Sequence, residues 1–318
     1  MKYLVFDISS MLYRTFFQNK NEDVVTNAGL AHHMALMSMR KFYNKFQPHR
    51  VVMTFDRSSW RKEYTLSEDC ISGKKYKGNR RQKLTPKQQE KLNKFFKHMN
   101  EFEQLMRDHT NIICLAGQGL EADDLVAGFC EAYGGDGEDE IIIVSRDRDL
   151  AQLLNKNVTQ WDPQAGEQIT IETAIRDLFK EKKQTTIPIE LHTREFFLFA
   201  KKLRGDTGDN VQAAYPGIRK TKMIKIYDDS FECENTLNHT WTNEDGKEFV
   251  VKQLFEEGDL LMNLQSQPDD VRAKVFQTIL DEMERPKSFS YFHFMKFLGK
   301  YEMKKIADSL DNFIPLLS

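Results

Sequence analysis

Three short apolar runs end at or near an aspartate, and they limit the fold of this chain more than any other feature. Tyr3-Leu4-Val5-Phe6 runs into Asp7, and Val51-Val52-Met53-Thr54-Phe55 runs into Asp56. Ile141-Ile142-Ile143-Val144 stops shortly before Asp147. Each run reads as a strand, spanning about 2–6, 50–55 and 140–145, with further strand signals near 111–115 and 158–161. Helical periodicity fills the intervals at about 26–46, 85–109 and 121–133, and Pro86 fits the first turn of its helix. Strands alternating with helices predict an α/β fold with a mostly parallel central sheet flanked by helices. Ligands of such sheets gather at the carboxyl ends of the strands, where these aspartates fall.

At 318 residues the chain is long enough for one large or two smaller domains. We expect an α/β domain over 1–185, with a basic arch at about 57–105, and a helical C-terminal domain over 186–318. Within the second, 194–226 reads as two helices joined by Tyr215-Pro216-Gly217, a helix-hairpin unit. Segment 66–84 has little apolar periodicity and is expected to be a mobile, basic connector. Segment 228–248 is polar and reads as an insertion or long loop, and 249–318 as amphipathic helices. Gly134-Gly135-Asp136-Gly137 reads as a turn, and the chain contains no Walker or dinucleotide glycine pattern. No stretch approaches the roughly 18–20 apolar residues of a membrane span. Met1-Lys2-Tyr3-Leu4 leads straight into a strand and does not read as a signal peptide. Cys70, Cys114, Cys130 and Cys233 have neither disulfide nor metal spacing, which fits a reducing cytoplasm. His32-His33 lacks the spacing of a zinc site.

Net charge is −2, but it is unevenly spread. From Arg57 to Lys97 thirteen basic residues face four acidic ones, a surplus of nine. The acids cluster elsewhere: Asp7, Asp56, Glu121, Asp123, Asp124, Asp147, Asp149, Asp206 and Asp209. Singly, each has a bland reading. Asp7 and Asp56 could cap helices, Glu121-Ala122-Asp123-Asp124 opens a helix where acids suit the macrodipole, and Gly205-Asp206 suits a turn. Brought together, so many carboxylates repel one another unless a cation lies between them, and hard divalent ions prefer oxygen ligands. A basic block beside such a cluster suggests a polyanion held by one and processed at the other.

The order of these motifs resembles the 5′-to-3′ exonuclease and flap endonuclease family, most closely its phage-encoded ribonuclease H branch. The resemblance rests on Phe6-Asp7 with Leu12-Tyr13-Arg14, Phe55-Asp56, Tyr76-Lys77-Gly78-Asn79-Arg80 and Glu121-Ala122-Asp123-Asp124. It continues through Ser145-Arg146-Asp147-Arg148-Asp149-Leu150, Gly205-Asp206 to Asn210, and Pro216-Gly217-Ile218. It implies two Mg²⁺ ions, with Mn²⁺ able to substitute. Asp7, Asp56, Glu121 and Asp123 would hold the first ion, and Asp124, Asp147, Asp149, Asp206 and Asp209 would form the second site. Lys77 and Arg80 would be catalytic at the scissile phosphate. Tyr13, Arg14, Arg61, Tyr76, Arg81, Arg219, Lys220 and Lys222 would bind nucleic acid, with Tyr13 and Tyr76 stacking on unpaired bases. The implied substrates are DNA and RNA–DNA duplexes with 5′ ends or flaps, as in primer removal during phage replication. A monomer in the host cytoplasm, working beside a single-stranded-DNA-binding protein and a sliding clamp, completes the picture. Two departures stand out: Arg219 replaces the family's glycine after Pro-Gly-Ile, and extra residues separate Trp60-Arg61 from Tyr76.

Rival readings are a catalytically silent nucleic-acid-binding relative and a small PIN-domain ribonuclease, which would need neither arch nor helical half. A haloacid-dehalogenase-type phosphatase requires Asp-x-Asp after its first strand, and Asp7-Ile8-Ser9 lacks the second acid.

Overall fold

The computed structural model describes every residue except 19–22, 82–84, 136 and 183. Six strands, β1 (Lys2–Asp7), β2 (Arg50–Thr54), β3 (Ile113–Leu115), β4 (Glu140–Val144), β5 (Val158–Trp161) and β6 (Gln168–Ile169), form one sheet. Their order is β3-β2-β1-β4-β5-β6, parallel up to β5, with β6 antiparallel at the edge. Asp7 lies opposite Thr54 and Phe6 opposite Val144, so the carboxyl ends of β1, β2 and β4 are level. The chain leaves β1 toward β2 on one side and reaches β4 on the other. The β1–β4 boundary is therefore the topological switch point.

The first helices are α1 (Ile8–Gln18), α2 (Val24–Phe46), α3 (Trp60–Tyr64), α4 (Gly78–Arg81), α5 (Pro86–His109) and α6 (Ala122–Tyr133). After β6 come α7 (Ile171–Leu178), α8 (Arg194–Arg204), α9 (Lys220–Asp228) and α10 (Ser230–Leu237). A hairpin of β7 (Thr240–Thr242) and β8 (Glu248–Val250) precedes α11 (Val251–Met262), α12 (Asp269–Glu284) and α13 (Tyr291–Lys300). Among the described residues no helix is long and apolar enough to cross a membrane.

Strand side chains alternate between two cores, as the pleat requires. Leu4, Phe6, Val51, Met53, Ile142 and Val144 pack with Phe42 of α2, Phe95 and Phe102 of α5 and Phe294 of α13. Tyr3, Val5, Val52, Ile141 and Ile143 pack with Phe129 of α6 and Val275 and Ile279 of α12. Gly128 permits that second contact, because a Cβ there would meet Val275 Cγ1 at 2.2 Å. Residues 269–318 thus return to cover both faces of the sheet. A third core joins α8, α9 and α11 to the hairpin through Leu203, Met223, Leu254 and Phe249.

Two expectations are corrected. Segment 228–248 is not a long loop, since it holds α10 and the first hairpin strand. Its Trp241 ring lies 5.0 Å from Phe249, and its indole N–H donates to Ala214 O at 2.9 Å. Segment 66–81 is not a free connector. The Ile71 and Ser72 amides donate to Glu257, and Lys247 Nζ donates to Ile71 O at 2.8 Å. The expected connector's last residues, 82–84, lie outside the described ones.

Candidate active site

Strand ends and helix starts bring four aspartates to the switch point. Asp7 closes β1 and is buried; its carboxylate accepts from Ser10 N–H at 3.1 Å and Ser145 O–H at 3.0 Å. Asp56, two residues beyond β2, accepts from Ala122 N–H at 2.8 Å at the start of α6. Asp147 follows β4, and its carboxylate accepts the Asp149 N–H at 2.9 Å. Asp123 lies in the first turn of α6.

The electrostatics of this group define it. Burial and the nearby charges of Asp56 and Asp147 push Asp7 up to about 7. Asp123 is raised well above the usual carboxylate range by loss of solvent and by Asp147, Asp7 and Asp56. Asp56 is raised too, chiefly by desolvation within the cleft, against the Ala122 N–H and Lys77. At neutral pH such a group takes up protons or a cation. The donors are hard carboxylate oxygens, and their chemistry suits a divalent ion of the Mg²⁺ type. They form a donor set rather than a finished cage: among the described residues, no three acidic, histidine or cysteine side chains are already arranged around an ion.

Lysines occupy the flanks. Lys77 Nζ donates to Glu121 Oε1 at 2.6 Å and lies 3.8 Å from Asp209. Burial would lower Lys77, but Glu121 and Asp209 hold it firmly protonated. Burial raises Glu121, yet Lys77 and Arg61 bring it down to about 2. On the other flank, Lys201 of α8 is only 3% exposed and bridges Asp149 at 2.5 Å and Asp206 at 3.2 Å. Desolvation and Asp147 raise Asp149 to about 6 against the pull of Lys201. Asp206 is lowered by Lys201 and by the Asp209 and Gly208 amides, which outweigh its desolvation.

Three expected roles do not survive this geometry. Asp124 was placed at a second metal, but it is fully buried and its oxygens are taken by Arg61 at 2.8 Å, Gln267 at 2.7 Å and the Glu121 N–H at 3.0 Å. Arg61 was expected on nucleic acid, but it is 1% exposed, pairs with Asp124 and Glu121, and donates to Leu261 O at 2.9 Å. Tyr76 was expected to stack on bases. Instead its ring is buried beside Val211, Leu261 and Met262, and its hydroxyl donates to Asp209 at 2.8 Å. In each case the partner comes from a distant stretch of chain.

The remaining candidates divide between cleft and surface. Arg80 pairs with Asp209 and donates to Gly208 O at 3.2 Å. Arg81 ends α4, and its side chain lies outside the described ones. Tyr13 is 43% exposed on α1, against Phe17. Arg14, half-buried on α1, is lowered by burial and by the charge of Arg146, against the pull of Asp162 and Asp7. Arg219 is exposed at the N-cap of α9. Lys222 lies over the Tyr215 ring at 4.4 Å, whereas Lys220 is held by Glu181 at 2.6 Å.

Lys201 escaped sequence reading. The signal was present: a lysine between Phe196-Phe197-Leu198-Phe199-Ala200 and Leu203, all buried, demands an anionic partner.

The resolvase-like α/β sheet and its acidic switch point define the class. Residues 2–183 match the family described as the 5′-3′ exonuclease, N-terminal resolvase-like domain, and the chain belongs to that family. It is 23% identical to a 5′-3′ exonuclease of Mycoplasmopsis pulmonis over 98% of this chain and 95% of that one. It is 24% identical to DNA polymerase I of Caldicellulosiruptor bescii over 98% of this chain but only 33% of that one. Its fold is similar to the bacteriophage T5 flap endonuclease pseudo-enzyme–product complex with DNA and metal ions. The TM-score is 0.61 at 16% identity, covering 90% of this chain and all of that one.

Proposed function

We propose that the chain is a divalent-metal-dependent 5′ nuclease, acting as a 5′-to-3′ exonuclease and flap endonuclease on DNA and RNA–DNA duplexes. The observation that carries this reading is the group Asp7, Asp56, Asp123 and Asp147, mutually repelling at the switch point with Lys77 at its edge. Asp7, Asp56 and Asp123 would hold one Mg²⁺ ion, joined by Asp147, expected at the second site but set beside Asp7 and Asp123, in place of Glu121, whose oxygens are taken by Lys77, Arg61 and Ser59. Asp149 and Asp206 would contribute to a second, without Asp209, which is engaged by Tyr76 and Arg80; Mn²⁺ would substitute. Bound there, the ions would supply an activated water and stabilise the leaving oxygen. Lys77, kept cationic by Glu121 and Asp209, offsets charge gathering on the phosphate. Exposed Arg219 and Lys222, with the first amides of α9, suit a grip on one strand's phosphates that carries no sequence information. Tyr13, exposed on α1, and Arg14 would add contacts to the nucleic acid. Such binding weakens steeply with salt.

The biological setting we propose is removal of RNA primers in phage replication, in the host cytoplasm, by a monomer beside a single-stranded-DNA-binding protein and a sliding clamp. The fit to a phage ribonuclease H rests on the motifs given above.

The test is cleavage of a 5′-labelled flap duplex and a matched RNA–DNA hybrid, in Mg²⁺ and in EDTA. Short 5′ products in Mg²⁺ alone support the reading and rank the substrates. Binding without cleavage under every metal condition supports the silent relative. Within the same assay, Lys77→Ala is expected to lower kcat by about 10²-fold or more while changing duplex affinity only a few-fold. An affinity loss at unchanged kcat would make Lys77 a binding residue. Arg219→Gly is expected to weaken duplex affinity modestly at low salt, and no change would place Arg219 outside the interface.

A further inference from the structure

We propose that Tyr76 and Asn210 are positioning residues that fix the Lys77 ammonium at the carboxylate cluster, by tying segment 75–80 to the 206–211 loop between α8 and α9. This rests on the nuclease reading above and adds to it a physical link between the duplex-gripping half and the cleavage centre.

The segment is bonded to the loop almost residue by residue. Asn210 Nδ2 donates to Lys75 O at 2.9 Å. The Tyr76 hydroxyl donates to Asp209 Oδ2 at 2.8 Å. The Lys77 backbone N–H donates to Asp209 O at 2.7 Å. Asn79 Nδ2 donates to Thr207 O at 3.0 Å, and Arg80 Nε donates to Gly208 O at 3.2 Å. On its far side the segment is held by the Tyr76 N–H, which donates to Thr65 Oγ1 at 3.0 Å at the end of α3.

The loop is itself rigid. Asp206 and Val211 exchange backbone hydrogen bonds at 3.1 and 2.8 Å. Asp206 Oδ1 accepts from the Gly208 and Asp209 amides at 2.7 and 3.1 Å. Gly205, at φ +67°, turns the chain so tightly that a Cβ would lie 2.5 Å from Ala213 N.

Backbone strain marks where the tie acts. Lys77 has φ +54° and Asn210 φ +60°. A long side chain such as lysine seldom occupies the left-handed region, and it stays there only when its surroundings impose it. The Asp209 carbonyl imposes it here by accepting the Lys77 N–H. That backbone turn aims Nζ at Glu121 Oε1, 2.6 Å away. Extra chain before Tyr76 is therefore no obstacle to placing Lys77, because its position is set by the loop and not by the length of the preceding segment. Tyr76, buried in this tie, has no free ring face for a base.

Two variants separate positioning from structure. Tyr76→Phe keeps the buried ring and removes only the hydroxyl. Asn210→Gly removes the side-chain bond to Lys75 and leaves a residue that adopts positive φ without cost. On a 5′-flap duplex in Mg²⁺ each is expected to lower kcat about tenfold with Kd within about twofold of wild type. Amide hydrogen exchange across 75–80, without DNA, is expected to speed up in both. Wild-type kcat in both variants overturns the proposal while leaving the nuclease reading intact, and so does lost affinity at unchanged kcat. If wild type itself does not cleave, the nuclease reading fails. Exchange then still decides the tie, and unchanged protection of 75–80 in both variants overturns it.

Discussion

Asp7→Asn is expected to abolish cleavage, by about 10³-fold or more, and at the same time to raise the melting temperature of the metal-free protein near pH 8. The opposite signs follow from one cause. Asp7 is buried beside Asp56 and Asp147 and is held at about 7, against roughly 3.9 in an unfolded chain. Between those values the folded state keeps a proton that the unfolded state has released, so stability falls as pH rises through the interval. A displacement of about three units corresponds to an upper bound of about 4 kcal/mol at alkaline pH. Asparagine keeps the shape and can still accept from Ser10 and donate to Ser145, but carries no charge. It removes the strain and the donor together. Differential scanning calorimetry in EDTA, paired with a flap-cleavage assay, checks both halves. Lost activity with a lowered melting temperature would mean that Asp7 serves the fold and not a cation.

Arg61→Met is expected to destabilise the protein by about 3–5 kcal/mol, a drop of roughly ten degrees in melting temperature. Arg61 lies behind the cleft, 2.8 Å from Asp124 and 3.2 Å from Glu121, and is shut off from solvent. Its removal leaves Asp124 buried with Gln267 and an amide but no counter-charge. Breaking such a pair costs far more than losing a surface ion pair, because the surviving charge stays desolvated. Thermal or urea unfolding measures the loss. Normal stability with weakened duplex binding would return Arg61 to the nucleic-acid interface.

Much of this architecture was legible in the sequence for a simple reason: the signals were local. Apolar runs before Asp7, Asp56 and Asp147 mark buried parallel strands, and level strand ends carry their acids to one place. The helix starting at Ala122 carries Asp123 to the same place. What local pattern could not disclose was the partner of each charge. Asp123 and Asp124 are neighbours in sequence, yet one joins the repelling cluster and the other is neutralised by Arg61. Tyr76 and Arg61 look like surface residues of a basic stretch until Asp209 and Leu261, far along the chain, are brought against them. Lys201 shows the reverse case, a buried lysine whose partners lie on separate stretches of chain, Asp149 in the 3-10 turn Arg148–Leu153 and Asp206 in the loop after α8. The hairpin around Trp241 and Phe249 was hidden by its polar composition, since only those two aromatic side chains reach the third core.

On the proposed reading, the switch-point carboxylates bind a divalent cation. Melting the protein at about pH 6 and about pH 8, in EDTA and in excess Mg²⁺, tests it most directly, because a ligand bound only by the folded state raises the melting temperature. EDTA-treated protein is expected to melt higher at pH 6 than at pH 8, and Mg²⁺ to raise the melting temperature most at pH 8, where protons no longer compete for Asp7. A melting temperature indifferent to Mg²⁺ at pH 8 would contradict it.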